Sequence, residues 1–352
     1  MTTSSSAAAP AGVGYTADRK KEIIGLCLGV AVLLYTLFTA PPPGLSVPAW
    51  KTIGISLLMA IWWMTEAIPI AFTALLPLVL FPVFGVIAAG QIAPNYAQDT
   101  IWLFFGGFTI AHAMELWGLH RRFSLWTLKI CGTNPKMLLL GFLFSTAFLS
   151  AWMSNTACAA LMMPIGLAMV KMVQEGEGRS EIEKKAALNF GICVMLGIAF
   201  AASIGGMATL IGTPPNSIMA GQVVKMTGRA VPFANFAMVG APISVLLLAV
   251  CWWLLPMFFP VKALDLSSAG SIVDEELEKL GPMSKGETLT FALFVFTALF
   301  WILRPQIMGM FGTVMIAGKP VKMTAMVSDA TVGMIAAALA FLIPVDFKKG
   351  KM

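Results

Sequence analysis

Three adjacent polar residues, Ser154, Asn155 and Thr156, sit inside a long apolar stretch that reads SAWMSNTACAALMM over 150–163. In lipid every buried polar group needs a partner, so such a triplet is costly unless it lines a cavity. The apolar arms on either side, Met137 to Met153 and Ala157 to Val170, are each about 21–25 Å of helix, short of a hydrocarbon core of ~30 Å. Arg121, Arg122, Lys129 and Lys136 precede the arms, and Lys171, Arg179, Lys184 and Lys185 follow them. Both ends therefore favour the cytoplasmic side. A segment that enters and leaves on one side, with each arm too short to span, is a re-entrant hairpin over 137–170 with the polar triplet at its tip.

A second interruption follows at Gly212-Thr213-Pro214-Pro215-Asn216. Two consecutive prolines cannot continue a helix interior, so the apolar helix Ala186 to Ile211 breaks here and restarts, giving a broken helix over 186–228. Gly212 permits close backbone approach, Thr213 fits an N-cap and Pro214 fits the first helical position. At each break the carbonyls that end one helix present partial negative charge and the amides that begin the next present partial positive charge. Ser150, Ser154 and Asn155 add oxygens to the carbonyl end, which suits a small hard cation. Asn155 and Thr156 stand where an N-cap belongs, aimed where an anion would bind. Neither motif contains Arg or Lys, so a bound dianion would be neutralised by co-bound cations and helix ends.

The elements that position these residues follow from composition. With 58% hydrophobic and only 11% charged residues in 352, the chain is an all-α integral membrane protein in contact with the lipid bilayer. The net charge of +6 comes from basic residues collected in loops, where they set topology, so no nucleic-acid partner is implied. Five scattered cysteines lack metal-type spacing and read as small buried hydrophobes. Residues 1–18 form a Ser/Ala/Gly/Pro-rich disordered cytoplasmic tail. Residues 19–136 supply scaffold spans: Ile23 to Ala40, Ile53 to Ile68 and Ala71 to Val86 with a tight turn at Glu66 and Pro69, then Thr100 to Leu116. Residues 137–260 hold the hairpin and broken helix and close with Pro232 to Phe259. A solvated cytoplasmic linker covers 261–286. Residues 287–352 carry Glu287 to Leu303, an outer loop from Arg304 to Ser328, and Ala330 to Pro344. This topology puts 17 of the 23 Lys/Arg inside, with Lys51, Lys225, Arg229, Arg304, Lys319 and Lys322 outside. The N-terminus is then cytoplasmic.

After the linker the pattern starts over. Lys51-Thr52 before an apolar span ending at Pro69 resembles Glu287-Thr288 before a span ending at Pro305, and each copy carries Trp near its end, Trp62 and Trp63 or Trp301. The two copies run in opposite directions, which is the mark of an inverted repeat. The second copy is expected to be incomplete.

Together, the SNT triplet and the run Gly205 to Asn216 (GGMATLIGTPPN) resemble the divalent anion:sodium symporter family, bacterial relatives of the di- and tricarboxylate carriers, over roughly residues 20–350. The resemblance implies an inverted-repeat secondary transporter of the inner membrane, a homodimer working by an elevator mechanism. It would couple Na⁺ to a small-molecule dianion, most suitably a C4-dicarboxylate such as succinate, malate or fumarate. Carried over by position, Ser150, Ser154, Asn155 and Gly212 would bind Na⁺. Ser154, Asn155, Thr156 and Thr213 would contact substrate. A second SNT triplet and a second broken helix, which the family has, are absent, so the chain reads as an amino-terminal portion. A non-transporting fragment, a citrate or sulfate carrier, and a dicarboxylate exchanger are the alternatives. An intramembrane enzyme is disfavoured, with no HExxH, no GxGD and no rhomboid-type Ser–His pairing, and the lack of a phosphate-binding loop argues against direct ATP coupling within this chain. His112 and Glu115, at i and i+3 on a helix, have the spacing of a metal pair but lack a third ligand, so His112 reads as a hydrogen-bonded helix histidine.

Overall fold

The structure, a computed structural model, describes residues 15–174, 180–261, 264, 266–316 and 319–345. Most of the expected tail and the last basic cluster (Lys348, Lys349, Lys351) lie outside the described residues. The chain divides into two compact units, Met1–Ala97 and Gln98–Met352.

The first unit contains α1 (Tyr15–Phe38), α2 (Val47–Thr65), α3 (Ile70–Val83) and α4 (Ala89–Ile92), followed by a 3₁₀ turn at Ala93–Tyr96. Ser46 caps α2 by accepting from the Ala49 amide, and Pro48 lies in the first turn where its missing N–H costs nothing. The sharp turn expected at Glu66 and Pro69 is present. Glu66 is left-handed at φ 52° and ends α2, and Pro69 precedes α3. Leu33, Ile55 and Leu58 form the small core between α1 and α2.

The second unit comprises α5 (Asp99–Leu116), α6 (Leu119–Cys131), α7 (Pro135–Ser150), α8 (Asn155–Gln174), α9 (Glu181–Gly206), α10 (Pro214–Thr227), α11 (Phe233–Phe258), α12 (Ser267–Leu280) and α13 (Lys285–Met310). A two-stranded antiparallel hairpin follows, β1 (Thr313–Ile316) and β2 (Lys319–Lys322), with Thr313 opposite Lys322. Then come α14 (Met323–Met326) and α15 (Asp329–Leu342). Helix α9 is central, packing against α7, α8 and α11. Its Phe190, Cys193, Val194 and Ala201 are buried in one cluster with Leu139, Phe142 and Leu143 of α7. Among the described residues six helices are long and apolar enough to cross a membrane: α1 from Arg19, α2, α8, α9, α11 and α13. Helices α3, α7 and α15 are shorter and apolar. Outward-facing Ile, Leu, Phe and Val on these helices are unsuited to water and fit helices of membrane length. The chain is a multi-pass, all-α membrane protein.

Three segments depart from the sequence reading. The basic stretch from Arg121 to Lys136 is not a plain loop. Leu119, Leu125 and Leu128 fall on one face and are buried, so its first part folds as the amphipathic helix α6. The linker likewise contains an amphipathic helix, α12. It packs on α6 and is joined to it by the ion pairs Arg121–Glu276 and Lys129–Asp274. Arg304, expected in an outer loop, lies inside α13 and is buried. Asp329 at the start of α15 pairs with it, and the carbonyls of Thr324 and Val327 accept from its Nη1. A second buried ion pair joins Arg122 of α6 to Glu287 of α13 at 2.7 Å. The Arg122 guanidinium also donates to the carbonyls of Leu280, Gly281 and Pro282.

Candidate functional site

A broken helix leaves carbonyls at the end of one half and amides at the start of the next without intrahelical partners, and in an apolar interior each must find another. Helix α7 ends at Ser150, residues 151–154 form the turn, and α8 begins at Asn155. The first arm is 16 residues, short as expected. The second extends past Val170 to Gln174, and its 20 residues give it the length of a span. Helix α9 ends at Gly206, earlier than the Ile211 expected from the apolar run, and 207–213 are non-helical before α10 starts at Pro214. The small residues Gly205 and Gly206 and the polar Thr209 end the helix before the prolines do.

The two breaks meet. Ser150 Oγ donates to the Ala202 carbonyl of α9 at 2.6 Å. The Asn155 amide, with Nδ2 turned toward α9, reaches the Ala202 carbonyl at 3.1 Å, Ser150 Oγ at 2.9 Å and the Gly212 carbonyl at 3.3 Å. Thr209 Oγ1 donates to the Ala151 carbonyl in the hairpin turn and accepts from the Gly212 amide at 3.1 Å. Asn216 Nδ2 donates to the carbonyls of Gly206 at 2.9 Å and Thr209 at 2.7 Å. Ser217 and Ser244 donate to the Leu210 and Ile204 carbonyls. Hydroxyls and amides thus replace the missing helical N–H donors, and all of these bonds join neutral groups.

Close approach requires glycine at two points. A Cβ on Gly206 would stand 2.2 Å from the Asn155 side-chain amide, and one on Gly212 would stand 2.5 Å from the Gly206 carbonyl oxygen. The first places the Asn155 side chain in the break; the second confirms the backbone approach expected at Gly212. Behind the turn the surroundings are apolar. Trp152 stacks on Phe233 and meets Phe294 edge-on, beside a cleft of about 290 Å³ lined by Phe148, Ala151, Ala208 and Leu248 among others.

Of the residues singled out from sequence, Ser150, Asn155 and Gly212 come together in one hydrogen-bonded cluster. Ser154, Thr156 and Thr213 are not tied into it by hydrogen bonds among the described residues. The N-cap of α8 is Ser154, whose Oγ accepts from the Ala157 amide at 3.3 Å, rather than Asn155 or Thr156. Asn155 is drawn back toward α9 instead, and Thr156 is exposed. Thr213 occupies the N-cap position of α10 in extended backbone without a side-chain bond. Sequence reasoning missed Thr209 and Asn216 as donors. Both lie in the run Gly205 to Asn216, and counting the orphaned carbonyls of a broken helix would have called for them. His112 and Glu115 are 3.7 Å apart and largely exposed. No group of three or more potential metal ligands from His, Cys, Asp or Glu occurs among the described residues.

Two interrupted helices that meet break to break, among helices long enough to cross a membrane, have the discontinuous-helix arrangement found in the class of membrane proteins to which secondary transporters belong. Residues 20–348 match the family described as the sodium:sulfate symporter transmembrane region, and the chain belongs to that family. Its curated relatives include the sodium-dependent dicarboxylate transporter SdcS of Staphylococcus aureus strains NCTC 8325, COL and MRSA252. Each is 36% identical over 324 residues, covering 92% of this chain and 60% of the relative. The chain thus spans about three fifths of the length of these relatives.

Proposed function

We propose that the chain supplies the cation-binding core of a sodium-coupled secondary carrier of divalent anions, with C4-dicarboxylates such as succinate, malate or fumarate as the favoured substrates. One observation carries this reading: the neutral oxygens and carbonyl ends of two broken helices converge around Asn155. Carbonyl dipoles and uncharged oxygens suit a monovalent hard cation better than a multivalent one, because no carboxylate among these partners offsets a higher charge. Ser150, Ser154, Asn155 and Gly212 hold Na⁺ in this reading. The α8 and α10 N-termini, with Ser154, Asn155, Thr156 and Thr213, face the substrate carboxylate. The dicarboxylate name of the curated relatives supports the substrate class.

The unit of movement is the hairpin and broken helix, 137–260, carried elevator-fashion against scaffold spans in 19–136 and 287–352, with 137–170 re-entrant from the cytoplasmic side. The protein sits in the plasma membrane, the inner one in a two-membrane cell, as a homodimer with its N-terminus inside. Citrate or sulfate transport, and dicarboxylate exchange, are the outcomes that a substrate panel separates. The test is Na⁺-dependent succinate binding or uptake by purified protein in liposomes. Asn155→Ala is expected to abolish the Na⁺ dependence while Ser5→Ala changes nothing. Unchanged Na⁺ dependence in Asn155→Ala overturns the site.

A further inference from the structure

We propose that Thr209 is a positioning residue that locks the two helix breaks in register, so that Ser150 Oγ and the Gly212 carbonyl stay arranged around the Asn155 side chain for a cation; the cation part of this rests on the site reading above. Thr209 is 5% exposed and lies in the non-helical turn between α9 and α10. Its hydroxyl has one proton and two lone pairs. The proton goes across to the hairpin turn, to the Ala151 carbonyl, and a lone pair receives the Gly212 amide of its own break. One side chain therefore grips both breaks, and it grips them next to the proposed ligands. Ala151 follows Ser150 directly, and the Gly212 carbonyl is the one within reach of the Asn155 amide. Asn216 braces the same loop from α10 by donating to the Thr209 carbonyl.

The clasp is directional, which makes it separable from packing. Valine keeps the β-branched shape but leaves the Ala151 carbonyl and the Gly212 amide unpaired in an apolar interior. Serine keeps the hydroxyl and loses only a methyl group. A shape requirement would spare valine; a clasp requirement spares serine.

The experiment compares wild type, Thr209→Val, Thr209→Ser and Asn155→Ala in the full-length membrane protein. It reads thermal unfolding in rising NaCl against choline chloride, together with hydrogen exchange of the 209–216 segment. Thr209→Val is expected to raise the half-saturating Na⁺ concentration about tenfold and to lose exchange protection at Gly212. Thr209→Ser is expected to match wild type in both. Wild-type behaviour of Thr209→Val overturns the proposal, as does equal impairment of the serine and valine variants. If wild type shows no Na⁺-specific response but Gly212 protection still follows the hydroxyl, the cation reading fails and the clasp stands.

Discussion

The unit from Gln98 onward sets polar groups into apolar surroundings in two contrasting ways. Around Asn155 the groups are neutral: serine and threonine hydroxyls, asparagine amides and broken-helix carbonyls. At Arg122–Glu287 and Arg304–Asp329 they are full charges already paired and buried, with side chains 5–9% exposed. Removing one partner of a buried pair leaves an uncompensated charge, so such pairs fix structure firmly. Arg122 gathers the C-terminal carbonyls of α12 and the N-terminal carboxylate of α13 onto α6. Asp329 likewise receives both Arg304 and the Phe233 amide at the start of α11. The neutral cluster has no net charge to cancel and can accept an arriving one. Charge in this unit marks the places that hold, and its absence marks the place proposed to bind.

The sharpest way to break that contrast is at Glu287. Replacing it with Gln leaves Arg122 buried without a counter-charge and is expected to cost about 3–5 kcal/mol of stability, read by thermal unfolding in detergent. The half-saturating Na⁺ concentration of the protein that remains folded should be that of wild type. A large shift in Na⁺ response with little loss of stability would reverse the assignment of the two regions.

Next in size is Gly206→Ala. The added Cβ meets the Asn155 amide at 2.2 Å, so the amide must leave the break or α9 must shift. Overpacking of this kind costs about 1–3 kcal/mol. Here the Na⁺ response should suffer first, because the displaced atom belongs to the proposed ligand set. An unaltered Na⁺ titration in Gly206→Ala would separate the Asn155 amide from cation binding.

Smaller still is Ser284→Ala. Ser284 and Glu287 form a reciprocal capping box at the start of α13, and removing an N-cap hydroxyl costs about 0.5–2 kcal/mol. Glu287 would keep Arg122 but lose the bond that holds its helix end, so the charged region should weaken without collapsing. A cost equal to that of Glu287→Gln would mean that the cap, rather than the ion pair, carries the region.

How much of this was legible beforehand depended on how local the cause was. The hairpin turn, the break before Pro214 and the turn at Glu66 each follow from residues within a few positions of one another, and each is present. The break at 207 comes earlier than the apolar run suggests, because the last carbonyls of α9 find side-chain donors beyond the break, Ser244 for Ile204 and Asn216 for Gly206. Helices α6 and α12 look like basic loop and linker because their charges dominate the local pattern, while the leucines of their inner faces recur only at helical spacing. The charge of Arg304 suggests a loop for the same reason, although it lies inside α13. Its partner Asp329 is 25 residues away, and nothing local to an arginine says that it is neutralised. Long-range pairing is the part that a sequence read span by span does not show.

The smallest expected effect concerns pH, and it tests whether α6 and α12 belong with the charged region. Burial pushes His120 below its ordinary value of 6.5, with Arg121 adding to the fall and the Met114 carbonyl and Glu115 opposing it. The neutral ring meets that carbonyl at 3.3 Å through Nδ1. Hydrogen bonds from Lys279 hold Glu276 below its ordinary 4.5, with Arg121 contributing and burial opposing. In both cases the unfolded chain binds the proton first as pH falls. The His120 contribution is therefore complete above 6.5 and declines as pH drops through its lowered folded value. That of Glu276 is complete above 4.5 and declines further down. Unfolding temperature should fall in two shallow steps, the first set by His120 and the second, at lower pH, by Glu276. His120→Gln should flatten the first and Glu276→Gln the second, with the Na⁺ response at neutral pH unchanged in both. A single step lost in Asn155→Ala instead would move the pH dependence to the neutral cluster, where none of the groups described titrates in that range.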